Sequence, residues 1–445
     1  MTVTRRIKRR SVSDEEPLVK ADKTDGKAQV EVQLVDALTP IIFGILLRLI
    51  AFAYFKEYLQ DHVGFTSPWT SFRRLKDAIS LWDQNGSLYA DKYHGVPWIA
   101  IAFYPFLSYE YFLRVLFIAF DVVGSIFLFW SGPKVFKDKD EASEGSKRML
   151  TMYLLNPLTI GVCVGMNLSS LLNMILCIGF YCLVHRQLCL ATIAVCIAAQ
   201  LNIYYIQLIF PIIAARLTIQ SREKFSYSLT AKHLGFKLAA FAVLYSSNFV
   251  VSNWREVIKG NIGFFFSLED YTPNMGMYWY LFSLIFVQYR SFFLAILHFL
   301  AFVHVLPVYR VFWVVPTGMW IIFLQLITVL SSYPSYAEFC VFLPLLTTIK
   351  SRKNFSVFFY FLATLISLAC SSSLITLQQW VQTGSGNANF FFGSVMAYLI
   401  GQAFLLRFTL KSLVDGIFYT SEFYKAEEYP EFRFTNVPIL KKSNM

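Results

Sequence analysis

Between Leu168 and Ala215 the chain reads "LSSLLNMILCIGFYCLVHRQLCLATIAVCIAAQLNIYYIQLIFPIIAA", with Arg186 the one formally charged residue in the stretch. In water such a run has no polar face to expose. A bilayer accepts it, provided each backbone N–H and C=O finds a partner inside its own segment, and helices meet that condition. Similar runs recur along the 445 residues, and only 15% of the chain is charged, against about 25% in soluble domains. The fold class is therefore an all-α polytopic membrane protein.

A spanning helix needs about 20 apolar residues. Spans are expected at Leu34–Phe55, Tyr111–Ser131, Met149–Gly165, Leu168–Val184, Leu238–Ser252, Gly276–His304, Val311–Leu330, Ala337–Ile349, Phe355–Leu377 and Phe390–Lys411. Shorter arms are expected at Val96–Leu107, Leu188–Ala199 and Ile203–Ala215, the last two broken at "QLN". This gives roughly 11–13 transmembrane or half-membrane helices. Gly276–His304 is expected to cross once, tilted, and Gly132–Arg148 to be a charged loop.

The formal net charge of +11 reflects loop placement. Lys and Arg concentrate on the cytosolic side of membrane proteins, and no basic face interleaved with stacking aromatics suggests nucleic acid. Five basic residues within Arg5 to Arg10, and five in Arg216–Lys237, place those segments in the cytosol. Lys56–Gly95 holds five as well, but its neighbours outvote it and it is assigned to the lumen. There "NGS" at Asn85 is a glycosylation acceptor. The expected organisation is a disordered basic N-terminus over 1–33 without a cleavable signal peptide, a transmembrane domain over 34–411, and a cytosolic tail over 412–445. The seven cysteines fall within apolar segments at no metal-ligand spacing, so neither a disulfide framework nor a metal site is expected.

Ionisable residues within the membrane need a reason. Asp121 lies mid-span in "AFDVVG" and suits either a buried ion pair or a functional role. Arg48, Arg290 and Arg310 either snorkel to the headgroups or hold anionic lipid phosphate. The six histidines are scattered, and nothing suggests a Ser–His–Asp or Cys–His arrangement. A lipid-linked-sugar transferase would use a lumenal carboxylate as base or metal ligand. Glu57, Asp61, Asp77, Asp83 and Asp91 are available, none of them two residues apart. The one Asp-x-Asp, Asp138 and Asp140, sits among lysines as a solvated charge run.

Two lumenal stretches are polar in another way. "SLEDYTPNMGMYWY" joins Glu269 and Asp270 to a turn and then to aromatics. "GSGNANFF" places Asn387 and Asn389 on one side if locally extended. Amides offer uncharged donors and acceptors that suit sugar hydroxyls and phosphate oxygens. The same stretch equally suits a helix start, with an asparagine as its cap.

"SLEDYTPNMGMYWYLF", "SYPSYAEFCVFLPLL" and "GSGNANFFFGSVMAYLIGQAFLL" resemble the PIG-U family, the multi-span subunit of the glycosylphosphatidylinositol (GPI) transamidase. "YLLNPLTIGVC" and "TSPWTSFRRLKDAISLWDQNGSLY" are similar to the family's first half. The Thr-Pro-Asn and Asn-x-Asn blocks are the most specific, and the resemblance covers most of Leu34 to Tyr419. It implies an endoplasmic-reticulum protein with a bundle like that of the GT-C glycosyltransferases, without cofactor and without a catalytic residue of its own. It implies partners as well: protease-like PIG-K with the Cys–His site, PIG-T, PIG-S and the GPI anchor attachment subunit. The family's asparagine pair contacts the GPI headgroup and maps to Asn387 and Asn389.

On this reading the protein holds GPI for attachment to precursor proteins. Phe390 to Phe392 and the Tyr278–Trp279–Tyr280 cluster would line the lipid path, while Arg290 and Arg310 are phospholipid contacts argued from charge alone. Two rivals remain: an active GT-C mannosyltransferase using a dolichol-linked donor, and a secondary transporter with a midplane site near Asp121 and Asn202.

Overall fold

A computed structural model describes residues 23–60, 62–90, 92–136, 139–220, 225–349 and 355–426. Every regular element among them is helical. Five helical stretches are long and apolar enough to cross a membrane: Ala37–Tyr54, Glu110–Val135, Val287–Phe312, Phe361–Val381 and Ala388–Ile417. Shorter apolar helices, Ser169–Val184, Leu188–Leu201, Pro316–Leu330 and Tyr336–Thr348 among them, pack between these. The all-α polytopic class is observed.

The first helix begins at Lys23 and ends at Tyr54. Its Arg48 does not snorkel. The guanidinium is 0% exposed and its Nε and Nη2 donate to Asp121 Oδ2 at 2.9 and 2.8 Å. Nη1 donates to Leu154 O at 2.8 Å and to Gly44 O at 3.1 Å, and Tyr153 Oη donates to Asp121 Oδ1 at 3.5 Å. One ion pair thus ties the first helix to Glu110–Val135 and to the helix that ends at Leu154.

Three expectations are corrected by local chemistry. The loop over Gly132–Arg148 is largely helix, Lys139–Leu154, formed from good helix formers and an i,i+4 pair between Glu144 and Arg148 at 2.7 Å. Close packing requires Gly132: a Cβ there would lie 1.8 Å from Ser146 Oγ. Met149–Gly165 is not one span, because Pro157 offers no N–H and Asn156 caps a new helix, Pro157–Val164, by accepting from Leu158 N.

Gly276–His304 is not one tilted helix either. Tyr278–Leu284 stops at extended Ile285 and Phe286, and Arg290–Val303 starts afresh. Tyr278 Oη donates to Leu297 O and to Leu330 O, each at 3.2 Å. In a straight helix Tyr278 and Leu297 would stand about 28 Å apart, so the chain has to fold back. The break at "QLN" is observed, with Asn202 accepting from Tyr204 N.

The hairpin of Phe355–Val381 and Ala388–Ala426 closes the bundle, and its second helix runs past Lys411. Cys189 is exposed, while Cys163, Cys177, Cys182, Cys196, Cys340 and Cys370 are buried.

Candidate functional site

The turn of that last hairpin is "TGSGNA". Gly384 has φ 65°, a conformation glycine adopts without strain. Asn387 Oδ1 accepts from Asn389 N at 3.0 Å and Phe390 N at 3.3 Å, so Asn387 caps the helix Ala388–Ala426. Of the two arrangements the sequence left open, the helix start with an asparagine cap is the one observed, since Asn389 already lies in the first helical turn. Both side chains are nevertheless exposed.

Asn389 is held rather than loose. Its Oδ1 accepts from Tyr280 Oη at 2.6 Å, and the Tyr280 ring stacks on Phe392 at 4.0 Å and 13°. Asn389 is exposed, and its amide N–H groups have no partner among the described residues. The Tyr278–Leu284 helix and the "NAN" block therefore meet, although 109 residues separate Tyr280 from Asn389.

The expected aromatic wall divides in two. Phe390 is 61% exposed, while Phe391 is buried. Trp279 is buried as well, stacked on Trp380 at 6.0 Å and 22° and packed against Phe391 at 5.8 Å. Trp279 thus clamps the hairpin to the Tyr278–Leu284 helix instead of lining an open path. The sequence reading placed Tyr280 in the aromatic cluster but did not pair it with Asn389, and it missed Trp380. A tyrosine and a tryptophan at the rim of apolar runs were the available signal, but only the fold pairs them.

The adjoining loop is self-ordered. Asp270 Oδ1 accepts from Thr272 N at 2.8 Å and also from Thr272 Oγ1, while Oδ2 accepts from Arg74 Nη2 at 2.7 Å. Burial pushes the Asp270 carboxyl up, but the Thr272 hydrogen bonds and the Arg74 guanidinium outweigh it and hold the group below the usual carboxylate range. Asn274 folds onto its own backbone by accepting from Gly276 N at 2.8 Å. Gly276 lies so close to Pro334 that a Cβ would approach its Cδ to 2.6 Å. Nearby, His94 stacks on Phe264 at 3.4 Å and its Nδ1 bonds Gly260 O at 3.0 Å. Burial lowers its pKa to about 4, with Arg74 adding to the effect.

Arg290 and Arg310 are not brought together. They stand near opposite ends of Val287–Phe312, about 30 Å apart along the axis. Arg290 lies over the Tyr271 ring at 5.0 Å, at the asparagine end, and Arg310 lies over Phe225 at 4.9 Å, beside the basic segment. Among the carboxylates considered for a transferase, Asp83 accepts from Tyr104 Oη at 3.2 Å. Asp61, Asp91 and Asp138 lie outside the described residues, as does the side chain of Asp140. Asp121, expected near a midplane site, pairs with Arg48, and Asn202 Oδ1 caps its own helix by accepting from Tyr204 N.

A sequence model of the family described as "GPI transamidase subunit PIG-U" matches residues 42–398. The chain is 23% identical over 385 residues to the "GPI-anchor transamidase component PIGU" of Homo sapiens, covering 79% of this chain and 87% of the relative. It is 22% identical over 384 residues to the Mus musculus protein of the same name, with the same coverage. To the "GPI transamidase component GAB1" of Saccharomyces cerevisiae it is 25% identical over 361 residues, covering 80% of this chain and 88% of the relative. The matched region runs from within the first helix to beyond the asparagine turn, and the chain belongs to the PIG-U family of GPI transamidase subunits.

Proposed function

We propose that this protein is a non-catalytic subunit of a GPI transamidase in the endoplasmic-reticulum membrane, and that Asn387 and Asn389 grip the polar part of the GPI lipid. One observation carries the reading: the exposed Asn389 amide is fixed through its oxygen by Tyr280 at the head of a helix, with its N–H groups unpartnered among the described residues. Family membership supports the setting. Fixed, uncharged donors suit phosphate and hydroxyl oxygens, and the partial positive charge of the helix N-terminus favours an anion beside them. Exposed Phe390 offers apolar surface for the acyl region, and Arg290 at the same end offers a cation to a phospholipid. Arg310 would meet headgroups of the opposite leaflet. On this reading the asparagine end is lumenal and both chain termini are cytosolic. The transamidation chemistry sits on a partner such as PIG-K, assembled with PIG-T, PIG-S and the GPI anchor attachment subunit. Holding GPI serves that chemistry by placing its amine at the acyl-enzyme, where orientation alone supplies several kcal/mol of the barrier.

The test is surface display of a GPI-anchored reporter in cells lacking the endogenous subunit, rescued with wild type, Asn387→Ala/Asn389→Ala or Asp83→Ala. The asparagine variant is expected to co-purify with the other subunits while mature GPI and uncleaved precursor accumulate. Normal display from that variant sinks the reading. A stalled, under-mannosylated GPI from Asp83→Ala would favour the mannosyltransferase instead.

A further inference from the structure

We infer that a separate cleft on the other side of the hairpin turn binds a lipid headgroup carrying both a phosphodiester and a primary ammonium. The cleft has a volume of about 240 Å³ and lies between Glu57, Tyr58 and His62 on one wall and Gln378 and Gln382 on the other. The first wall follows the span Ala37–Tyr54, and the second is the end of the span Phe361–Val381. The opening therefore lies where a bilayer places its headgroups.

His62 points to the ligand. It is 8% exposed, and its Nδ1 accepts from Gly64 N at 3.1 Å. An accepting Nδ1 assigns the proton to Nε2, and among the described residues that buried Nε2 has no partner. A buried donor left unpaired costs about 1–3 kcal/mol, which an incoming oxygen would recover. The wall that holds the ring is rigid. Gly64 O accepts from Tyr336 N at 2.8 Å, and a Cβ at Gly64 would lie 2.6 Å from the Tyr336 ring. Tyr336 in turn reaches Ser373 on the opposite wall's helix. Burial also lowers the pKa of His62 to about 4, so at neutral pH it is a neutral donor and not an anion-attracting cation.

The lining then selects the charge pattern. Among the described lining residues the one formal charge is Glu57, so a bare anion would meet a carboxylate with no lining cation to balance it. A bare cation would leave Nε2–H unpaired. A zwitterion answers both, its phosphate oxygen on His62 and its ammonium at Glu57, with the Gln378 and Gln382 amides bonding either. The volume falls below the roughly 300 Å³ at which drug-sized pockets begin, so a headgroup fits and a glycan does not. Bilayer phosphatidylethanolamine and the phosphoethanolamine branch of a glycolipid share this chemistry.

Native mass spectrometry of the purified full chain tests it, with phosphatidylethanolamine, phosphatidylcholine and phosphatidylglycerol supplied at equal concentration. Wild type is expected to retain phosphatidylethanolamine about tenfold over the other two. Glu57→Gln, a change at an exposed side chain, removes that preference. His62→Phe keeps the ring but lowers retention of both ethanolamine and choline lipids, and His62→Gln restores part of it. Asn387→Ala/Asn389→Ala leaves these values unchanged, so this site and the asparagine reading fail separately. Retention of a GPI bearing the phosphoethanolamine branch above that of phosphatidylethanolamine, lost in the same variants, names the glycolipid as source. Equal retention of the three lipids by wild type, or retention indifferent to Glu57→Gln, overturns the proposal.

Discussion

Arg48–Asp121 and Asn387–Asn389 are both polar pairs set among apolar helices, and the fold treats them oppositely. The first is fully buried and bonded within the fold: the guanidinium serves Asp121, Leu154 O and Gly44 O, and Tyr153 covers the second carboxylate oxygen. No exposed surface is left for a substrate to reach. The second is exposed, and only its oxygens are engaged, by Tyr280 and by the helix start. A charge inside a membrane is a conspicuous sequence feature and here proves to be a brace. An asparagine at a turn is an ordinary feature and here keeps its donors free.

The largest effect should come from breaking the brace. Asp121→Ala leaves a buried guanidinium unpaired, which costs about 3–5 kcal/mol. The expected outcome is loss of the folded chain from detergent extracts, read by fluorescence-detected size exclusion. Arg48→Met/Asp121→Leu removes both charges and should recover most of the yield, because well-packed apolar replacements of buried ion pairs are often neutral. A double variant that remains unfolded while display of the GPI reporter by the asparagine variant is normal would invert the comparison.

A second effect follows from His62 and His94, both neutral in the folded protein with pKa values lowered to about 4 by burial. Arg74 adds to the lowering at His94, while the Gly260 carbonyl, Asp270 and Glu269 oppose it. The unfolded chain protonates near pH 6.5 and binds more protons than the folded one between there and pH 4. Stability is thus full above pH 6.5 and falls as pH drops toward 4, by on the order of 1–3 kcal/mol for each ring. Thermal unfolding between pH 7.5 and 4.5 measures it. His94→Phe, which keeps the stack on Phe264, should flatten the slope, whereas Asn389→Ala should not.

Much of this was legible in the sequence. Apolar runs gave the class. The "QLN" break was readable because Asn202 carries its own cap. The asparagine end could be suspected from "GSGNANFF" and the Thr-Pro-Asn block, each polar where lipid should be. What could not be read was pairing. Arg48 and Asp121 are separated by 73 residues, so snorkelling and burial look alike until the helices pack. The fold-back after Leu284 has no proline or glycine to announce it, and rests on hydrogen bonds from Tyr278 to residues far along the chain. His62 carries no local sign that it lines a cleft, since the opposite wall comes from residues 377–382.

The finest test lies within one side chain. Asn387 both caps a helix through Oδ1 and presents Nδ2 at the surface, and substitutions can separate the two. Asn387→Ala removes both, with about 1 kcal/mol lost from the cap. Asn387→Asp keeps the cap and adds a negative charge where the helix dipole favours it, so the melting temperature should stay at or slightly above that of wild type. The same change deletes the two N–H donors and sets a carboxylate against any phosphate. If the turn grips a lipid, Asn387→Asp should depress display of a GPI-anchored reporter at least as far as Asn387→Ala, despite its greater stability. If display instead follows stability, with aspartate equal to wild type and alanine below it, Asn387 is a cap and the grip belongs to Asn389 and its neighbours.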